Sequence, residues 1–85
     1  MEQKHLDLIN KILSIPIVSD MARFEFNLKC VSNGKRWWEA NYKFTAPDVE
    51  EIYKISSEYY EDETEGDSLE YVLNGILGRL EKLNN

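Results

Sequence analysis

The chain has 85 residues, one cysteine and a net charge of −6 at pH 7. This length predicts one small domain over residues 1–85 and excludes a second hydrophobic core. The single cysteine excludes an internal disulfide, and no apolar run approaches the roughly 20 residues that cross a bilayer, which excludes a membrane-spanning class. The first residues also lack the apolar stretch of a signal peptide, so we expect a cytoplasmic protein.

The N-terminal segment has the pattern of an amphipathic helix. Apolar residues at positions 6, 8, 9, 12 and 13 lie on one side of a helix that covers about residues 2–14. Pro16 disfavours helical backbone at the residue before it, so we expect the helix to end there.

Residues 21–45 contain two runs in which apolar and polar side chains alternate, on either side of Asn33 and Gly34. A period of two is typical of half-buried strands, in which aromatic residues are favoured. The residues expected on the inward face are Phe24, Phe26, Leu28 and Cys30 in the first run and Trp38, Ala40, Tyr42 and Phe44 in the second. The two runs predict an antiparallel β-hairpin with an aromatic inner face, in which Cys30 is buried as a small hydrophobic side chain.

The length of the hairpin loop decides which residues lie opposite each other. A two-residue turn at Asn33-Gly34 would set apolar side chains against polar ones on both faces, so we expect a three-residue loop. Our preferred loop is residues 32–34, which places Phe24 opposite Tyr42. A shift of the pairing by two residues instead places Glu25 opposite Lys43 and suits the outer charges better. Both registers remain open at this stage.

Two further helices are predicted after the hairpin. Thr45 can cap the first of them and Pro47 fits its first turn, and helical spacing of apolar residues continues to about Tyr60. Gly66 interrupts this pattern, and a last helix is expected from about Asp67. Its apolar stripe consists of Leu69, Val72, Leu73, Ile76, Leu77, Leu80 and Leu83.

Gly75 and Gly78 lie inside this last helix, and each costs about 1 kcal/mol of helix propensity relative to alanine. We expect them to allow close packing against the hairpin or another helix. The alternative is a tight contact with a partner or with a second copy of the chain.

These elements predict an α+β fold. It consists of an N-terminal helix, a two-stranded antiparallel β-hairpin and two C-terminal helices packed on the aromatic face of the hairpin. A hairpin is marginally stable by itself, so the helices must cover that face.

The negative charge is concentrated in residues 58–70, which we call the acidic segment. It holds seven acids and no base, while the remaining nine acids and ten bases nearly cancel. The segment is either a solvated loop or a docking surface for a basic partner, for which it would act as a nucleic-acid mimic. Tyrosines beside the acids are typical of interfaces. The predicted partner-binding residues are Glu58, Tyr59, Tyr60, Glu61, Asp62, Glu63, Glu65, Asp67 and Trp37.

The outer face of the hairpin has the opposite charge bias and predicts a different function. An exposed Trp37 beside cations would suit stacking on bases or a protein contact, unless the ring is covered by a helix or by lysine stems. The residues that would contact nucleic acid directly are Arg23, Lys29, Lys35, Arg36 and Lys43. Against this stands the overall charge, which repels phosphates.

Motifs for catalysis and for cofactors are missing from the sequence. His5 and Cys30 cannot supply the ligands of a zinc site, and the acids around Gly66 have Val72 where a calcium loop needs glutamate. No phosphate-binding glycine loop or Gly-x-Ser-x-Gly motif occurs. We therefore expect no enzyme, no metal and no cofactor.

Small size, acidity and missing chemistry together favour a non-catalytic interaction protein. The leading hypothesis is an inhibitor or neutraliser of a larger, basic, nucleic-acid-handling protein. Phage anti-defence proteins such as anti-CRISPR proteins, antitoxins and immunity proteins are of this class. The alternatives are a nucleic-acid-binding module and a homodimeric accessory protein.

Overall fold

The described part of the chain folds into three strands and three helices. The computed structural model describes residues 2–19, 23–60 and 65–84 and, for residues 65–67, the backbone alone. The element order is α1 (Gln3–Ser14), α2 (Pro16–Ser19), β1 (Arg23–Ser32), β2 (Arg36–Ala46), β3 (Val49–Ser56) and α3 (Glu65–Asn84). The strands form one antiparallel sheet in the order β1-β2-β3. None of the described helices is long and apolar enough to cross a membrane.

The hairpin of β1 and β2 confirms the three-residue loop but not its preferred position. The loop is residues 33–35, with Gly34 at a φ of 75°, a left-handed conformation in which a side chain is unfavourable. Glu25 lies opposite Lys43 and Phe24 lies opposite Phe44, so the preferred pairing was wrong by two residues and the alternative is observed. This register keeps the apolar side chains together and also pairs opposite charges on the outer face.

The fold prediction was wrong after the hairpin, because the segment predicted as a second helix is β3. Val49 lies opposite Ala46, and Pro47 and Asp48 form the turn between the strands. Proline presets the backbone angle of the first central turn position as well as it fits a helical first turn. The chain therefore has a three-stranded sheet and one long C-terminal helix instead of a two-stranded hairpin and two C-terminal helices.

The strand sequence explains this outcome. Val49, Glu51, Tyr53 and Ile55 face the helices, and β-branched and aromatic residues suit strands. Beside the central strand β2, this segment can satisfy its backbone hydrogen bonds in a ladder and also widen the sheet that α3 covers.

The hydrophobic core lies between one face of the sheet and the helices. α3 packs on β2 and β3, and α1 packs on α3. The stripe predicted for α3 supplies much of the core, since five of its members are buried. The buried apolar residues are Ile12, Ile15, Val18, Trp37, Ala40, Tyr42, Phe44, Leu69, Val72, Leu73, Ile76 and Leu80. Cys30, predicted to be buried, is exposed because it lies on an edge strand.

The two glycines of α3 have different surroundings. A Cβ atom at Gly75 would overlap Cδ1 of Ile55, whereas a Cβ at Gly78 would meet nothing within 4 Å. Gly75 therefore allows α3 to approach β3 closely, as the packing interpretation expects, although its neighbour is a strand that the sequence analysis did not predict.

A hydrogen-bonded network attaches α3 to the sheet. The hydroxyl of the fully buried Tyr42 donates to Glu51 Oε2 at 2.7 Å, and two guanidinium nitrogens of Arg79 donate to Glu51 Oε1 at 3.0 and 2.6 Å. The guanidinium also lies 5.5 Å from the centre of the Tyr53 ring. Burial and the hydrogen bond to Glu51 raise the pKa of Tyr42, so its hydroxyl remains a donor across the physiological range.

Candidate functional site

Three tyrosines reach solvent where β3 leads into α3. Tyr59 is 87% exposed, Tyr60 43% and Tyr71 40%. The rings of Tyr60 and Tyr71 stack with their centres 4.3 Å apart and their planes 15° apart. We call Tyr59, Tyr60 and Tyr71 the tyrosine cluster. Such rings supply large contact areas and ordered faces for a partner.

The end of β3 fixes where this cluster begins. Ser57 is buried, and its backbone N–H donates to the carbonyl oxygen of Trp38 at 2.9 Å. Its hydroxyl oxygen accepts from the backbone N–H of Trp38 at 2.9 Å. A turn follows in which the N–H of Tyr60 donates to the carbonyl oxygen of Ser57 at 3.0 Å. Because the hydrogen bonds of Ser57 hold this turn against β2, they fix the position of the backbone that carries Tyr59 and Tyr60.

Lys35, in the hairpin loop, supports the turn from the other side. Its Nζ donates to the carbonyl oxygen of Glu58 at 2.7 Å and lies 5.4 Å from the centre of the Tyr59 ring. The sequence analysis assigned Lys35 to the alternative nucleic-acid face, but the structure brings it together with two predicted partner-binding residues. Its charge is attracted by the π face of the tyrosine.

A groove lies beside the tyrosine cluster and is bordered by β3 and α3. Its volume is about 600 Å³, and Gly75 and Ile55 contribute to its wall. The lining residues are Ile55, Tyr60, Glu70, Tyr71, Asn74 and Gly75. A side chain at Gly75 would meet Ile55, so the glycine lets α3 lie against β3 beside the groove. Glu70 also forms an ion pair with Lys4 at 3.1 Å.

The sequence analysis did not assign Ile55, Tyr71 or Asn74 to a site, and it gave a partner contact at Gly75 only as an alternative. It placed residue 55 in a helix, so no pattern could bring it next to α3. The glycine inside the apolar stripe was the only signal for this groove.

The structure describes the acidic segment only in part. Glu58 is half-buried in the turn, and Glu70 lies on α3. Glu65 and Asp67 have described backbone in the first turn of α3, while Glu61, Asp62 and Glu63 lie outside the described residues. In the sequence, the acidic segment therefore includes Tyr59 and Tyr60 and ends directly before Tyr71.

The outer face of the sheet carries the alternative site. Arg23 pairs with Glu25 at 2.9 Å, and Lys29 pairs with Glu39 at 3.4 Å. Lys43 lies opposite Glu25 on the neighbouring strand, and Arg36 is exposed at the start of β2. These acids offset part of the positive charge that phosphates would require.

Trp37 lies on this outer face but is only 8% exposed. Its Nε1–H donates to Glu39 Oε2 at 2.8 Å, and this hydrogen bond, followed by the attraction of Lys29, lowers the pKa of the Glu39 carboxyl. The indole therefore presents little of its ring for stacking on a base.

Within residues 2–19, 23–60 and 65–84, no three histidine, cysteine, aspartate or glutamate side chains are grouped to hold a metal ion. Comparison of the chain with protein-family models, with curated proteins and with solved structures gives no match. The site is therefore interpreted from its own residues alone.

Proposed function

We propose that this protein is a non-catalytic inhibitor or neutraliser of a larger, basic, nucleic-acid-handling protein in the cytoplasm. It binds through the tyrosine cluster and the acidic segment. In its mode of action it is of the same class as phage anti-defence proteins, antitoxins and immunity proteins. The exposed Cys30 thiol suits a reducing compartment, where it is not oxidised to an intermolecular disulfide.

The observation that carries this proposal is the exposure of the tyrosine cluster beside a groove. Tyrosine is enriched among the residues that dominate binding energy at interfaces. Tyr59 leaves most of its ring in water, although burying an aromatic ring is worth about 1.5–3 kcal/mol. A partner that covers this ring would recover that free energy.

Charge supplies the second part of the recognition. The seven acids of the acidic segment adjoin the tyrosines in sequence, while the rest of the chain is almost neutral. A negative patch attracts a phosphate-binding surface from a distance, increases the association rate and loses this effect as salt rises. In this mechanism the acids occupy the partner's phosphate-binding surface and the tyrosines anchor the complex.

The experiment is affinity capture from nuclease-treated lysate of the protein's own host, with mass spectrometry at low and high salt. Recovery of a basic nucleic-acid enzyme that weakens at high salt supports the proposal. The capture is repeated with Tyr59→Ala, which should lose the partner, and with Ile52→Ala as the matched control. Ile52 is 62% exposed on the outer sheet face, so its substitution also removes a solvent-exposed apolar group.

The captured partner is then bound to a variant in which Glu61, Glu63 and Glu65 are all glutamine. Association should slow and its salt dependence should flatten, while the far-ultraviolet circular dichroism stays unchanged. Equal binding by this variant would contradict nucleic-acid mimicry, and equal binding by Tyr59→Ala would contradict the tyrosine anchor.

Direct binding of nucleic acid by Arg23, Lys29, Lys35, Arg36 and Lys43 is the competing function. A labelled oligonucleotide titrated at low salt distinguishes the two, because electrostatic binding is strongest there. Saturable binding that Lys43→Glu removes would favour the competing function over the proposed one.

A further inference from the structure

We propose that the outer edge of β1, the outermost strand of the described sheet, joins a second copy of the chain, so that two sheets form one continuous six-stranded antiparallel sheet. The two-fold axis passes beside Asn27, and β1 of each copy pairs with β1 of the other. This surface is separate from the tyrosine cluster, and the inference does not depend on the proposed function.

The direction of the backbone groups follows from the middle strand. The C=O of Trp38 accepts from the backbone N–H of Ser57, and the N–H of Trp38 donates to the Ser57 hydroxyl oxygen, so both groups point to the β3 side. In an antiparallel sheet these groups point to opposite sides at successive residues, so the odd-numbered residues of β2 bond to β1. The odd-numbered residues of β1 lie opposite them and direct their own N–H and C=O groups to β2. The even-numbered residues Phe24, Phe26 and Leu28 therefore direct their N–H and C=O groups to the outer edge.

β1 lacks several of the features that usually protect a sheet edge, although its outer face carries charged side chains. It has ten residues, contains no proline and pairs with β2 without a bulge. Its inward side chains Phe24, Phe26 and Leu28 stay half exposed, whereas Ala40, Tyr42 and Phe44 opposite them are buried. A second β1 would bury this apolar surface, and it would also form hydrogen bonds with the N–H and C=O groups of the edge.

The charges of β1 identify the second copy as the occupant. With the axis beside Asn27, Glu25 of each copy lies opposite Lys29 of the other, and Phe26 lies opposite Leu28. Moving the axis to Phe26 would set Arg23 against Lys29, and moving it to Leu28 would set Glu25 against Val31. Of these three registers, only the one at Asn27 creates two opposite-charge pairs on the outer face.

The existing ion pairs do not prevent this arrangement. Glu25 and Arg23 form a solvent-exposed pair, and Lys29 is the exposed member of its pair with Glu39, so the attraction within each pair contributes little to stability. β3 is the other edge of the sheet, but α3 packs on its inner face, where Gly75 contacts Ile55 and Arg79 lies over the Tyr53 ring. The apolar side chains of β3 are therefore covered by α3 already, and β1 is the edge at which a second sheet would bury more apolar surface.

The first measurement is the molar mass by sedimentation equilibrium over a wide range of protein concentration. A reversible monomer–dimer equilibrium is expected. A mass that stays monomeric up to the limit of solubility overturns the proposal.

A charge exchange then tests the register. Glu25→Lys and Lys29→Glu each place like charges opposite one another in the homodimer, so each should weaken dimerisation about tenfold or more. Mixed in equal amounts, the two variants should form a heterodimer, because lysines at 25 and 29 of one copy then face glutamates of the other. Each variant keeps the same changes within its own monomer when the two are mixed. Recovery of dimerisation in the mixture therefore reports the contact between copies alone.

A disulfide test locates the axis independently. In a Cys30→Ser background, Asn27→Cys should crosslink rapidly with oxidised glutathione, because the two copies of residue 27 face each other across a non-hydrogen-bonded pair. Ile52→Cys in the same background is the matched control for β3. Faster crosslinking at position 52, or no heterodimer in the mixture, overturns the proposal.

Discussion

The buried hydroxyl of Tyr42 provides a sharp test of how α3 is held on the sheet. Tyr42→Phe removes the donor to Glu51 Oε2 and leaves the ring in place. A hydrogen bond to a charged group contributes about 1.5–3 kcal/mol. The carboxylate keeps Arg79 and is 15% exposed, so water can reach the vacated oxygen, and we expect the lower end, about 1.5 kcal/mol. With an unfolding entropy of about 0.18 kcal/mol/K for 85 residues, the expected fall in Tm is about 8 °C.

Urea unfolding at pH 7, followed by circular dichroism, measures the free energy. Tyr53→Phe is the matched control, because no described residue forms a hydrogen bond with the Tyr53 hydroxyl, and its change should stay within about 0.5 kcal/mol. A second measurement uses pH. The pKa of Tyr42 is raised in the folded state, so its contribution is complete below about pH 10 and declines above it. The advantage of the wild type over Tyr42→Phe should therefore shrink above about pH 10.

Equal stability of Tyr42→Phe and wild type at pH 7 would refute this reasoning. So would an equal loss in Tyr53→Phe, which would show that any tyrosine hydroxyl near α3 has the same effect.

Two other predictions concern α3 and the outer sheet face. Gly78→Ala should raise the free energy of unfolding by up to about 1 kcal/mol, because alanine favours the helix and the added methyl meets no atom. Gly75→Ala should raise the free energy of unfolding less, because its methyl overlaps Cδ1 of Ile55. Ile55→Val removes that Cδ1 methyl, so the double variant should regain the stability. Urea unfolding that ranks Gly75→Ala above Gly78→Ala would contradict this packing. Glu39 has a lowered pKa, so its contribution is present above its ordinary value of 4.5 and is lost as pH falls through the lower folded value. Unfolding measured from about pH 6 to pH 3 should therefore depend less on pH in Glu39→Gln, and an unchanged pH dependence would contradict the role of this carboxyl.

Several features could be read from the sequence because they depend on local pattern. The stripe of α3 and the alternation of β1 and β2 predicted these elements correctly, and Pro16 ended the first helix where expected. The parity of the apolar residues also predicted a three-residue hairpin loop, since a one-residue slip exposes every apolar side chain.

The candidate site was only partly accessible in this way. Tyr59 and Tyr60 stood out because they adjoin the acidic segment. Their support by Ser57 and Lys35, and the groove next to Gly75, depend on which elements meet in space. Trp37 shows the same limit, since its place in the alternation predicts the outer face but not that the ring is buried there.

The segment from Val49 to Ser56 shows what only the tertiary structure decided. Its apolar residues fit helical spacing at 49, 52 and 53, and those at 49, 53 and 55 also share one face of a strand. Pro47 suits either a helix start or a turn. A helix satisfies its own backbone, whereas a strand needs a neighbour. The sequence alone determined that this stretch is amphipathic. The second edge of β2 decided that it is a strand, because there its backbone finds a ladder and its inner face extends the surface on which α3 packs.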